Sequence, residues 1–232
     1  MLIVAEIGLN HDGNFDLAYE LIRQAKLAGA DAAKFQFGWR GKKSELNHID
    51  VDRASQLKTW CDYVGIEMFA SIFTLEAWDL AQHIDMARYK IASRTVVDNP
   101  ELCEKVLAAG KPTYVSLGMW EKDSFPLGEP DGKNLHYIYC SAKYPTLPQD
   151  LVGMPKQFQR HGYYGYSDHL QGIEACLLAI ARGARYIEKH LTLNKTSGVI
   201  RDHVLSANPV EFQQLVELGK PLARLVDVVG GH

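Results

Sequence analysis

The 232-residue sequence predicts an α/β fold, a single (β/α)8 TIM barrel that spans residues 1–232. Short apolar runs alternate with longer amphipathic runs from end to end, at about 25 to 30 residues per unit, which is typical of parallel strands with crossover helices. Eight strand-like runs favour closure into a barrel. An open, doubly wound sheet is the alternative.

The predicted strands and helices follow one another along the chain. The strands cover residues 2–7, 31–37, 66–71, 86–92, 112–117, 135–141, 162–166 and 185–189. The helices cover residues 15–29, 51–64, 75–83, 99–109, 148–160, 170–183 and 209–227. In the first helix, Leu21, Ile22 and other apolar residues recur at helical spacing, and Gly29 follows in the position of a C-cap.

One unit breaks this pattern. Residues 118–134 carry two prolines and three glycines, which a long helix does not tolerate. We therefore expect the fifth outer helix to be reduced or missing. Because this segment follows the end of a strand directly, residues 118–134 are a candidate lid over a site at the barrel mouth.

Composition excludes several classes of partner. The formal net charge is -3, so we expect neither nucleic acid nor an anionic membrane surface as a partner. No apolar run approaches the roughly 20 residues of a membrane span. The four cysteines are scattered without a Cys-x-x-Cys pair, which favours reduced, buried thiols and a cytoplasmic protein.

Two histidines, His169 and His190, each end a strand-like run, with one apolar helical stretch between them. Consecutive parallel strands end at the same edge of a sheet, so the two imidazoles are expected side by side. Neighbouring imidazoles suit a divalent metal. The alternative is that each histidine only forms local hydrogen bonds at the end of its strand.

Polar side chains at strand ends are informative, because barrel active sites lie at that face. Lysine is the least expected of them: Lys34 and Lys90 stand within strands, where a buried ammonium group needs an anionic partner. The other polar residues at strand ends include Glu6, Asn10, Gln36, Ser71, Ser93, Ser116 and Ser167. These side chains predict a pocket for a phosphate and a carboxylate. The alternatives are ion pairs with Glu6 or Glu188, and an imine-forming lysine.

Several segments resemble the sialic acid synthase (N-acetylneuraminate synthase) family. They are AEIGLNHDG (residues 5–13), AGADAAKFQ (28–36), YKIAS (89–93), GKP (110–112), YPT (144–146), GYSDH (165–169), IEKHLTL (187–193) and DH (202–203). The resemblance is collinear from residue 4 to about 210. It implies a barrel enzyme that condenses phosphoenolpyruvate with a sugar aldehyde, giving a 2-keto-3-deoxy sugar acid and phosphate, with Mn2+ or Mg2+ as cofactor.

The resemblance also implies roles for residues. His169 and His190 correspond to metal ligands, Tyr144 and Asp202 to contacts of the acceptor sugar, and Glu6 to a polar group under the reacting centre. The phosphoenolpyruvate shell corresponds to Lys34, Ser71, Lys90, Ser93, Ser116 and Ser167. Among these we assign catalytic roles to Glu6, Lys34, Lys90 and Asp202.

The sequence departs from the family in the acceptor half. Thr95 replaces an acidic residue after Arg94, which replaces a glycine; Arg201 falls where a proline is usual; and the Ser-Thr-Gly-Met segment has lost its threonine at Leu117. The antifreeze-like domain, which supplies an arginine to the sugar in two-domain relatives, is not part of this sequence. We therefore expect a homodimer or a separate chain as a candidate partner, and Arg94 or Arg201 as a candidate replacement cation. A non-catalytic, sugar-acid-binding paralogue is a further alternative.

Overall fold

Eight parallel strands close into a barrel in sequence order. They are β1 (Leu2–Gly8), β2 (Ala32–Phe37), β3 (Glu67–Ile72), β4 (Tyr89–Ile91), β5 (Thr113–Ser116), β6 (Leu135–Cys140), β7 (Tyr163–Asp168) and β8 (Tyr186–His190). β8 pairs with β1, with Glu6 opposite His190, so the sheet has no free edge and the predicted barrel is confirmed. The computed structural model describes residues 1–229. The predicted domain, residues 1–232, ends outside this range.

The helices form the outer layer. They are α1 (Phe15–Leu27), α2 (Val51–Val64), α3 (Leu75–Ile84), α4 (Ser93–Asp98), α5 (Pro100–Leu107), α6 (Glu174–Ala181) and α7 (Pro209–Val229). The Asn14 side chain caps α1 by accepting hydrogen bonds from two backbone N–H groups. Gly29 follows α1 with φ of 84°, a conformation that glycine adopts without strain. The short helix α4 was not predicted from the sequence.

The predicted loss of the fifth outer helix is confirmed: residues 118–134, all within the described range, contain no helix. This segment packs against the outside of β6. The Phe125 ring stacks on Tyr137 with 4.3 Å between ring centroids, and the Tyr137 hydroxyl donates a hydrogen bond to the Gly128 carbonyl. Residues 123–132 therefore cover the side of the barrel in this structure, whereas Met119 of the same segment lines the cavity at the mouth, and the lid stays a prediction.

The predicted helix over residues 148–160 is also wrong. Two short 3-10 turns, Pro148–Leu151 and Gln159–His161, stand there instead. Pro155 lacks the N–H that a continuous α-helix requires, and Gly153 is a poor helix former. Met154 and Phe158 are nevertheless buried, so this irregular segment still covers β6 and β7.

Side chains alternate between the barrel interior and the outer layer. In β8, Tyr186, Glu188 and His190 share the inward face, whereas Lys189 points outward and pairs with Asp168. The lower interior is aromatic: the rings of Tyr114 and Tyr186 stack with 4.5 Å between their centroids. The polar side chains therefore gather in the upper interior, at the carboxyl ends of the strands.

Two findings bear on the expectations from composition. All four cysteines are buried free thiols. No helix within residues 1–229 combines the length and the apolar character needed to cross a membrane.

Candidate active site

A cavity of about 510 Å³ opens at the carboxyl ends of the strands. All but one of the site residues expected from the sequence line it: Glu6, Lys34, Gln36, Ser71, Lys90, Ser93, Ser116, Tyr144, Ser167, His169, His190 and Asp202. These side chains come from all eight strands or the loops that follow them. The barrel thus brings residues that are up to 196 positions apart into one cavity.

Lys34 forms the tightest ion pair of the cavity. Its Nζ lies 2.6 Å from Glu6 Oε2 and donates a hydrogen bond to Ser71 Oγ at 2.8 Å. Gln36 donates to the other oxygen of Glu6 at 2.9 Å. Lys34 therefore pairs with a barrel glutamate in this structure, as the alternative interpretation expected. The positive charge of Lys34 is largely balanced by Glu6.

Lys90 is less well compensated. It donates a hydrogen bond to Ser116 Oγ at 2.6 Å, but Glu188 lies 3.9 Å from its Nζ. The lysine is 3% exposed, and burial lowers its pKa. Lys90 is consequently the cation with the most to gain from an anionic ligand.

Glu188 lies between the two lysines. Ser167 Oγ donates to one oxygen at 2.9 Å, and the Tyr186 hydroxyl donates to the other. Burial opposes its charge, but Lys34 and Lys90 outweigh burial and lower the pKa of Glu188 to about 2. In contrast, burial raises the pKa of Glu6 to about 7 despite the attraction of Lys34. The two carboxyl groups therefore differ: Glu188 stays ionised, whereas Glu6 exchanges a proton near neutral pH.

The two histidines lie side by side at the mouth, with 5.6 Å between their ring centroids. His169 Nδ1 is 2.7 Å from the Ser141 carbonyl, which assigns its proton to Nδ1 and leaves Nε2 as the free acceptor. His190 Nδ1 is buried and has no hydrogen-bond partner among residues 1–229. Burial lowers the pKa of His169 to about 4 and that of His190 well below its ordinary value, so both imidazoles are neutral at pH 7.

On the acceptor side, Tyr144 lies between His169 and Arg201. Its ring centroid is 4.1 Å from that of His169, and the Arg201 guanidinium carbon is 4.2 Å from the Tyr144 ring. Asp202 is buried beside Arg201, with 3.5 Å between Arg201 Nε and Asp202 Oδ1. Burial raises the pKa of Asp202.

The loop that carries Asp202 is tied to the first loop of the barrel. His203 Nε2 lies 2.9 Å from Asp12 Oδ1, and His203 Nδ1 lies 2.7 Å from Thr192 Oγ1. Both His203 and Thr192 are buried. These contacts hold the short 3-10 turn Arg201–Leu205 against the barrel.

Asn10 differs from the other expected site residues. It does not line the cavity, and its amide donates to the Leu191 carbonyl at 2.9 Å and to Ser206 Oγ at 2.8 Å. Asn10 therefore ties the end of β1 to the chain after β8. Ser93 also has a structural contact, because its Oγ accepts a hydrogen bond from Gly118 N at 2.9 Å.

Two groups of cavity residues were absent from the site predicted from the sequence. Glu188 was considered only as an ion-pair partner, although its place two residues before His190 on the same strand puts it on the inward face. The loop after β2 contributes Trp39, Arg40 and Asn47, and a buried oxygen of Asn47 has no partner. Nothing in the periodicity of that loop indicates that it reaches the mouth.

Comparison with known proteins identifies the family. The NeuB family model matches residues 41–227. The chain belongs to the NeuB family. This NeuB protein is also similar along 92% of its length to an uncharacterized protein of Methanocaldococcus jannaschii, with 35% identity and 68% of that relative covered.

Relatives whose names state an activity are synthases. The N-acetylneuraminate-9-phosphate synthase of Homo sapiens is 30% identical, with 97% of this NeuB protein and 73% of the human protein covered. The crystal structure of the N-acetylneuraminic acid synthetase from Leptospira borgpetersenii, in complex with citrate, superposes with a TM-score of 0.86 at 28% identity. That superposition covers all of this NeuB protein and 85% of the solved chain.

Proposed function

We propose that this NeuB protein is a synthase that condenses phosphoenolpyruvate with a sugar aldehyde to give a 2-keto-3-deoxy sugar acid and phosphate. The observation that carries the proposal is the convergence of two buried lysines, a line of serine hydroxyls and a histidine pair on one cavity. A small ligand with two anionic groups and a reactive carbon between them suits this arrangement.

Phosphoenolpyruvate binds through the lysine side of the cavity in this proposal. Lys90 has no carboxylate closer than 3.9 Å in the described residues, so an ionised ligand group relieves its buried charge. Lys34 with Ser71, and Lys90 with Ser116, form two ammonium–hydroxyl pairs. Two such pairs hold the phosphate and the carboxylate at once, which orients the enol double bond towards the histidines.

The histidines fit a divalent metal, which we propose to be Mn2+ or Mg2+. The fit rests on two neutral imidazoles at one mouth and on the unpartnered, buried Nδ1 of His190. Within residues 1–229, no group of three or more His, Cys, Asp or Glu side chains is arranged to hold a metal, so His169 and His190 are the two side chains that would hold it. A bound metal supplies Lewis-acid polarisation of the acceptor carbonyl.

The remaining steps fall to residues of the chain. Carbon C3 of phosphoenolpyruvate attacks the aldehyde carbon, which forms the new C–C bond, and Lys34 and Lys90 hold the donor during this step. The aldehyde C=O π electrons pass to its oxygen, which takes up a proton and becomes a hydroxyl, and C2 of the former enol is left electron-deficient. Water then adds to C2 and loses a proton, which forms a C2 hydroxyl. That hydroxyl loses its proton as the C2–O bond to phosphate breaks, which leaves the keto group and inorganic phosphate. Glu6, which contacts Lys34 and Gln36, is the buried carboxylate placed to accept the proton that the water loses. Tyr144 and Asp202 contact the acceptor sugar.

A second candidate function is an aldolase or lyase that forms an imine through Lys90. The observation that favours it is the buried Lys90 side chain, whose pKa is lowered. Borohydride reduction in the presence of pyruvate separates the two functions. An imine enzyme gains a stable mass adduct at Lys90, whereas the proposed synthase remains unmodified.

The direct test is phosphate release from phosphoenolpyruvate with N-acetylmannosamine and other aldoses, after chelation and again after addition of Mn2+. We expect release that requires both an aldose and the metal, and that is lost in His190→Ala. The exposed histidine on α3 provides a matched control, since His83→Ala should retain full activity. Absence of release with every aldose, together with retained sugar-acid binding, would establish a non-catalytic protein instead.

A further inference from the structure

A second cavity of about 680 Å³ adjoins the candidate active site on its acceptor side. The residues that line both cavities are Trp39, Arg40, Glu45, Phe73, Arg94 and Arg201. Because these residues line both cavities, the two cavities are neighbours. A ligand that lies over the histidine pair and extends past the shared residues therefore enters the second cavity. Neither the motifs that resemble the sialic acid synthase family nor the proposed condensation accounts for this space.

The second cavity is cationic. Among its described lining residues are four cations, Arg40, Lys42, Arg94 and Arg201, and two carboxylates, Glu45 and Asp98. The first cavity shares three of these cations, and it adds two buried lysines and two buried glutamates. When Asp202, the partner of Arg201, is counted with the lining carboxylates, the second cavity has four cations against three carboxylates, an excess of one positive charge.

The arginines keep donor groups available. The shortest ion-pair distances are 3.8 Å for Arg40 and Glu45, 3.8 Å for Arg94 and Asp98, and 3.5 Å for Arg201 and Asp202. These distances are longer than a charge-assisted hydrogen bond, which is about 2.7–2.9 Å. The guanidinium groups are thus near carboxylates without being held in a bidentate geometry.

Arg201 is held by stacking rather than by its carboxylate. Its guanidinium carbon lies 4.2 Å from the Tyr144 ring, and Tyr144 in turn packs against His169. Stacking restrains the guanidinium plane and leaves its N–H edge free to donate. This chain of contacts places a cation one aromatic ring away from the histidine pair.

A buried hydroxyl gives an independent indication of a polar ligand. Thr95 lines the second cavity, is 3% exposed, and its Oγ1 has no hydrogen-bond partner among the described residues. An unpartnered buried hydroxyl is unfavourable unless water or a ligand satisfies it. An oxygen-rich ligand group in this cavity supplies that partner.

We infer that the second cavity is an oxyanion subsite that binds a phosphate or carboxylate group at the distal end of the acceptor sugar. The inference rests on the proposed function for the role of the sugar as acceptor. The planar guanidinium group of arginine matches the oxygens of a phosphate or a carboxylate. Arg94 and Arg201 both lie in the wall that the two cavities share. The subsite thereby selects acceptors by charge at the end remote from the aldehyde.

Calorimetric titration of the full chain tests this without requiring turnover. Three probes are compared: N-acetylmannosamine, its 6-phosphate, and the corresponding uronic acid. At least one anionic sugar should bind ten times or more tightly than the neutral sugar, and the 6-phosphate and uronate arms show which oxyanion is preferred. Raising the salt concentration should reduce the difference in affinity between the anionic and the neutral sugars, because salt screens the charges of exposed arginines.

Variants locate the effect. Arg94→Gln and Arg201→Gln should each weaken binding of the anionic sugar about fivefold more than binding of the neutral sugar, since each removes one partly exposed charge contact to the oxyanion. Arg23→Gln on the exposed face of α1 is the matched control and should have no effect. Equal affinities for the neutral and both anionic sugars, or a preference that survives in the double variant, overturns the inference.

Competition separates this inference from the proposed function. Saturating phosphoenolpyruvate should leave binding of the anionic sugar intact, because the two ligands occupy different cavities. Displacement by phosphoenolpyruvate places the sugar oxyanion at Lys34 and Lys90 and contradicts the subsite. Failure of phosphoenolpyruvate to bind at all contradicts the proposed synthase, while the comparison of the three sugars still decides the subsite.

Discussion

Lys189 Nζ lies 2.8 Å from Asp168 Oδ2, and neither side chain has any exposed surface. The pair lies on the outer side of β7 and β8, and each partner immediately precedes one of the two histidines at the mouth. Asp168 Oδ1 also accepts hydrogen bonds from the Tyr166 hydroxyl and the Leu170 backbone N–H. A buried, multiply bonded ion pair thus fixes the strand ends that present the histidine pair.

The first prediction concerns this ion pair. Lys189→Met leaves Asp168 buried without its cation, so the free energy of unfolding should fall by about 3–5 kcal/mol. Denaturant unfolding followed by circular dichroism measures the change. Asp168→Leu combined with Lys189→Met should recover part of the loss, because no charge is then left unpaired. A single variant as stable as the wild type would contradict a structural role for the pair.

The second prediction separates the two active-site lysines. Lys90→Met should weaken phosphoenolpyruvate binding by about tenfold or more, because Lys90 lacks a close carboxylate and gives its charge to the ligand. Calorimetry measures the affinity, and Lys58→Met on α2 is the surface control. Unchanged affinity with Lys90→Met would assign this lysine to a purely structural role.

Lys34 should behave differently. Lys34→Met leaves Glu6 buried without its 2.6 Å partner, so we expect a loss of stability as well as weaker ligand binding. Adding Glu6→Gln to this variant should restore stability without restoring phosphoenolpyruvate affinity. Thermal unfolding and calorimetry on the same samples distinguish the two effects, and equal recovery of both properties would argue against an anion-binding role for Lys34.

The third prediction concerns pH. Burial lowers the pKa of His11 from 6.5 to about 4. Between these values the unfolded chain binds more protons than the folded protein, so His11 makes stability fall as the pH drops. From pH 7 to pH 5 this amounts to about 2 kcal/mol. His11→Leu should lose that much less stability than the wild type over the same interval, as measured by denaturant unfolding. Parallel pH profiles for the two proteins would exclude a neutral, buried His11.

The fourth prediction concerns the segment that replaces the fifth outer helix. Phe125→Ala removes the ring that stacks on Tyr137, and we expect the free energy of unfolding to fall by about 2 kcal/mol. Phosphoenolpyruvate affinity should be unchanged, because residues 123–132 do not line the cavity. Weaker ligand binding in a variant of wild-type stability would support the interpretation of this segment as a lid.

The contrast between residues 118–134 and 148–160 shows where local reasoning succeeds. Two prolines and three glycines in the first segment exclude a long helix whatever surrounds it, and the structure agrees. The second segment has helical spacing of apolar residues, but Pro155 interrupts the hydrogen-bond ladder. Met154 and Phe158 are buried although the backbone around them is irregular. Apolar residues mark buried positions whatever the backbone conformation, so their spacing alone did not identify a helix.

The sequence by itself determined the order of strands and helices, and hence which polar residues end the strands, because periodicity and strand direction are local properties. Thirteen site residues were therefore predicted from the sequence, and twelve of them line one cavity at the mouth. Only the tertiary structure decided how their charges are divided: Lys34 is paired with Glu6, Lys90 is left with a carboxylate at 3.9 Å, and Asn10 is used to tie strand ends. These outcomes depend on distances of a few ångströms between residues far apart in the chain, and Coulomb and hydrogen-bond energies change steeply over that range.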